Sequence, residues 1–102
     1  MTDITVRYSA ASDLSELSRL AALDSATPPR GPALIAEADS RMLAALPMGS
    51  GRPIADPFEP TSEIVALLEL RKAQLRADAG ERRGVRDRVR SLLRARPSQA
   101  RA

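Results

Sequence analysis

Residues 81–96 hold seven arginines and, between them, Val85, Val89, Leu92 and Leu93. The four apolar residues fall on one face of a helix, and the arginines take the rest. Three chemistries fit such a segment. Arg82, Arg83, Arg86 and Arg90 suit a phosphate backbone, bound without regard to sequence and sensitive to salt. A basic amphipathic helix also suits an anionic membrane, but this one has no Phe or Trp to anchor it. Third, Val85, Val89 and Leu92 suit a partner helix, with flanking arginines pairing with its acidic groups. The plain alternative is a solvated helix. Fifteen of the sixteen basic residues are arginine, so abundance alone does not point to phosphate.

Elsewhere little is equipped for catalysis. The chain has no cysteine and no histidine. Thiolate chemistry, Ser–His and Cys–His pairs and the usual zinc ligands are therefore excluded. The serines have neither His nor a paired Lys to activate them. Glu37 and Asp39 are the nearest pair of carboxylates, and Glu37 is expected to be an ordinary surface group. Tyr8 shares a strand face with Ile4 and Val6 and is expected to cap the core rather than stack on a ligand. The stretch GSGRP at 49–53 reads as a plain loop before it reads as a phosphate nest. No metal and no cofactor are expected.

The elements that carry these residues follow from periodicity and punctuation. Ile4–Tyr8 alternates with period two, a strand with one wet face. Leu14, Leu17, Leu20 and Ala21 recur at helical spacing, and Ser12 is a suitable N-cap, so a helix is expected at about 12–24. TPPRGP then breaks regular structure. Two apolar runs, at about 33–38 and 41–47, flank Asp39-Ser40 and predict a tight hairpin. Both runs are apolar on both faces, so the hairpin should be covered on both sides. Ile54–Phe58 is a short edge strand or loop, because Pro57 bars a central one. A helix at about 62–77, capped by Thr61, carries Ile64, Val65, Leu67, Leu68 and Leu75. Beyond it either the helix breaks at Gly80, the favoured reading, or a single helix runs on. Disorder is expected from Pro97. The fold class is α+β: a small, mostly antiparallel sheet of three or four strands, one N-terminal helix and one or two C-terminal helices. The expected division is 1–79 and 80–102.

The phrases ITVRYSAASDLSELSRLAALD and PALIAEADSRMLAAL, in this order of elements, resemble the first half of the GNAT-type N-acetyltransferase fold over about residues 3–48. Arg7, Asp13, Leu14, Leu17, Leu20, Leu34, Ile35, Ala36, Glu37 and Leu43 occupy the places of that family's pattern. The resemblance implies an acyl-coenzyme A site on a following strand and helix, at a Gln/Arg-x-x-Gly-x-Gly/Ala loop. No stretch of this chain supplies that loop: GSGRP runs into Pro53, and RRGVRDR has one glycine beside Asp87. The chain looks like a truncated, GNAT-like half domain.

Charge is divided unevenly. Residues 1–70 carry a net −5 and residues 71–102 a net +8. The N-terminus lacks the basic and apolar regions of a signal peptide, and no apolar run approaches the roughly 20 residues of a membrane span. A cytoplasmic location is expected. A small core and an unfinished sheet edge both favour association. The function expected is that of a non-catalytic interaction or scaffold protein, a homodimer or a subunit completing another protein. Its contacts would be Ile64, Val65, Leu68, Leu75, Val85, Val89 and Leu92. The alternatives are an acyl-coenzyme A-dependent N-acyltransferase fragment active only with a partner, and a nucleic-acid-associated protein. A membrane is the least favoured partner.

Overall fold

The computed structural model describes residues 3–90. Leu92 and the disorder expected from Pro97 lie outside the described residues. The chain divides into two compact units, Met1–Lys72 and Ala73–Ala102.

In the first unit, β1 (Thr5–Tyr8), β2 (Ala33–Ala38), β3 (Arg41–Pro47) and β4 (Ile54–Ala55) form one antiparallel sheet in the order β1-β2-β3-β4. The hairpin of β2 and β3 spans the expected residues. Asp39 and Ser40 have φ of 52° and 63°. Two consecutive left-handed residues define the two-residue turn that matches strand twist, here built without glycine. A bulge follows, with the register shifting between Ala36 and Glu37, so that Leu43 is the extra residue on β3. The shift puts Met42 and Ala45, three apart, on one face.

Helix α1 (Leu14–Leu23) lies on that face. Leu17, Leu20 and Ala21 pack against Ile35, Met42, Ala45 and Ile54, all buried. The helix starts later than its periodicity predicts. Residues Ala11–Asp13 form a 3-10 turn, and Ser12 is exposed within it rather than capping α1. The capping contact runs the other way: Ala10 N–H donates to the Asp13 carboxylate at 2.6 Å. A charged acceptor binds an amide more strongly than a hydroxyl does. At the other end of α1, Ser25 has φ 51°. Ala26 N–H reaches Ala21 O at 2.8 Å and Ser25 N–H reaches Ala22 O at 3.3 Å. That pattern is a Schellman stop with serine where glycine is usual.

The opposite face of the sheet is buried as well, at Leu34, Ala36, Ala44 and Leu46. Helix α2 (Ser62–Arg101) begins in this unit, and its Leu68 is fully buried. Lys72 Nζ donates to the carbonyls of Pro47 and Gly49 at 2.7 and 2.9 Å. Both faces of the hairpin are thus buried, as its continuously apolar strands predict, and Lys72 ties α2 to the end of β3. Tyr8 departs from expectation. It ends the edge strand β1 and is 52 % exposed, so it does not cap the core.

In the second unit α2 continues through Gly80 and Gly84 without the expected break. A glycine that ends a helix takes a positive φ, and among the described glycines only Gly51 has one. Each interior glycine costs about 1 kcal/mol. The good helix formers on either side, KAQLRADA and ERR, outweigh that cost.

Candidate functional site

The candidate partner residues separate once they are placed. Leu68 is consumed by the core of the first unit, so its expected role as a partner contact is corrected: a fully buried side chain offers no surface. Ile64 and Val65, on the same turns, are half-buried, and so is Leu75 in the second unit. Val85 and Val89 are 54 % and 50 % exposed. Sequence reasoning missed Leu70, and it assigned Leu67 to the buried stripe; both are exposed in the first unit. Helical phase carried the signal, since Leu67 and Leu70 are rotated well away from Leu68 at about 100° per residue.

Arg82, Arg83, Arg86 and Arg90 are all exposed, and among the described residues none sits in an ion pair. At 100° per residue these four positions share one arc of about 100° on the helix. The valines lie beside that arc.

The first unit uses its charges differently. Arg7 donates to both oxygens of Asp13 at 2.9 and 2.8 Å and to both oxygens of Glu37 at 3.1 and 3.2 Å. The cluster ties β1 to β2 and to the turn that starts α1. Glu37 is therefore half-buried and paired rather than the ordinary surface group expected, because β1 pairing sets Arg7 and Glu37 on one face. The Arg7 hydrogen bond, joined by the Ala10 amide, lowers the Asp13 carboxyl from 3.8 to about 2. Hydrogen bonds that Arg7 donates to Asp13 and then to Glu37 hold its guanidinium firmly charged. A carboxylate so stabilised in its charged form is a poor proton acceptor at neutral pH. The cluster is a clamp, not an acid–base pair.

A second polar feature was not foreseen. Asp56 is 1 % exposed. Its Oδ1 accepts the Phe58 N–H at 2.9 Å, and Oδ2 lies 3.6 Å from Arg41. Asp-Pro-Phe was the available signal, an aspartate bonding the backbone two residues on. Asp24 Oδ2 accepts the Ala55 N–H at 3.1 Å and so fixes α1 to β4. Among the described residues no group of three carboxylates is gathered as a metal site requires. No helix among them is long and apolar enough to cross a membrane.

Comparison with family models, with curated proteins and with solved structures finds no match for this chain. The site must be read from its geometry. GSGRP joins β3 to β4, and no helix starts after it. The arrangement offers an apolar row on α2 with arginines beside it, and a rigid small α+β body.

Proposed function

We propose that the chain is a non-catalytic, GNAT-like interaction protein that self-associates through α2 in its second unit. The observation that carries this reading is the half exposure of Val85 and Val89 on a helix where, among the described residues, nothing covers them. An isolated helix is stabilised mainly by packing an apolar face, so a bare one favours a partner. The occupant is a second copy of this chain. In an antiparallel pair centred on Gly80, Leu75 faces Val85 and Asp78 faces Arg82, each twice by two-fold symmetry. Antiparallel pairing also separates the arginine-rich ends, which a parallel pair would crowd together. The compartment expected is the cytoplasm.

The mass in solution tests this. The proposal expects twice the 11.0 kDa of one chain, and reversion to one chain when Val85 and Val89 are both replaced by aspartate. A wild-type protein of single mass at the highest concentration reached contradicts it. Acetyl-coenzyme A should raise the melting temperature no more than inorganic pyrophosphate does; a larger rise would support the acyltransferase fragment instead.

A second reading rests on Arg82, Arg83, Arg86 and Arg90, exposed and free of ion pairs among the described residues. They suit a nucleic-acid backbone, with affinity falling steeply as salt rises. Deleting residues 80–102 should abolish that binding.

A further inference from the structure

We propose that the first unit binds a small anion in the cavity between the loop after α1 and the loop joining β3 to β4. The cavity measures about 640 Å³, within the range of small-molecule sites. Residues 1–70 carry five arginines in an acidic stretch. Arg7, Arg19 and Arg41 sit against carboxylates. The two others, Arg30 and Arg52, come from different loops and both line this cavity. Among the described residues neither is ion-paired, and no acidic side chain lines the cavity with them. Two arginines from different loops of one cavity, with no carboxylate lining it to neutralise them, suit a phosphate or carboxylate group held by N–H donors.

The walls are preorganised. Met48 N–H donates to Pro32 O at 2.9 Å, joining the two loops directly. Lys72 holds the carbonyls of Pro47 and Gly49. Gly51 has φ 130°, and a Cβ there would lie 3.3 Å from Pro47 Cγ. Among the described residues the N–H groups of Gly49, Ser50 and Gly51 make no backbone hydrogen bond, which leaves three donors on the arginine-bearing loop. Pro28, Pro29 and Pro32 line the facing loop with rigid apolar rings. The ligand class is therefore a small organic anion: a phosphate or carboxylate at the arginines and a modest apolar body against the prolines. This site is independent of self-association and of the arginines beyond residue 80.

Inorganic pyrophosphate and citrate, titrated separately into the full chain, distinguish the two anion sources. Binding is read by NMR at the amides of Gly49, Ser50 and Gly51 and at the Nε–H of Arg30 and Arg52. The expected result is a saturable shift at those signals with one or both probes, while the amides of Ile35 and Ala45 stay in place. Arg30→Gln and Arg52→Gln are surface changes that preserve the fold, and each should weaken binding about tenfold. A response to pyrophosphate alone identifies a phosphate ligand, and a response to citrate alone a carboxylate. Shifts confined to residues 82–90, shifts unaltered in both variants, or no shift at about 10 mM probe would overturn the proposal.

Discussion

The two units of this chain treat the same residue types in opposite ways. In Met1–Lys72, both faces of the sheet are covered, and arginine is bonded to carboxylate at Arg7, Arg19 and Arg41. In Ala73–Ala102, valine is half-exposed and the described arginines have no carboxylate within ion-pair distance. The first unit pairs three of its five arginines and leaves Arg30 and Arg52, at one cavity, and the exposed Leu67 and Leu70. The second sets exposed valines beside arginines without partners along one helix, the two groups that association consumes. Composition alone does not separate structure from function here; what each group touches does.

Substitutions should sort by unit. Leu20 is fully buried between α1 and the sheet. Leu20→Ala should cost about 3 kcal/mol of stability, measured by urea unfolding followed by circular dichroism. Val89→Ala, on the exposed helix, should change unfolding of the dilute protein by less than about 0.5 kcal/mol and act on association instead.

The clamp around Asp13 gives the next largest effect, and it depends on pH. The carboxyl titrates near 3.8 unfolded and near 2 folded. At acid pH the unfolded state therefore binds more protons, and lowering pH favours unfolding. The contribution of Asp13 is fully present above pH 3.8 and is lost as pH falls through about 2. Asp13→Ala should cost about 2 kcal/mol at neutral pH. It should also flatten the stability profile between those two values, as seen in chemical unfolding at a series of pH values.

Backbone strain separates the next pair. Gly51→Ala forces a side chain onto a φ of 130° and against Pro47, and should cost about 1 kcal/mol. Gly80→Ala, inside α2 with open space around it, should stabilise the helix by about 1 kcal/mol. Smallest of all, Ser25→Gly and Ser40→Gly relieve left-handed serines at φ of 51° and 63°. Each should add about 0.5 kcal/mol, visible as a rise in melting temperature.

The same division decides what the sequence made legible. β2 and β3 were bounded by Pro32 and Pro47 and joined by Asp39-Ser40, so local chemistry and burial agreed. The start of α1 was not, because the Arg7–Asp13 contact that displaces the cap crosses six residues and a strand end. Tyr8 was misplaced because alternation reveals a face but not how far cover reaches over an edge strand. The break expected at Gly80 rested on glycine cost, a polar middle of the stripe and Gly80 as a C-cap, and the positive φ that makes glycine a stop is not used there. The two arginines of the cavity were invisible as a pair, since Arg30 and Arg52 meet only through the ends of the sheet.

Amide hydrogen exchange at several protein concentrations tests the central contrast most directly. Protection of Ile35 and Ala45, inside the sheet, should not vary with concentration. Protection across residues 75–89 should rise steeply with it, as each helix finds a second copy. Equal, concentration-independent protection in both segments would contradict the account.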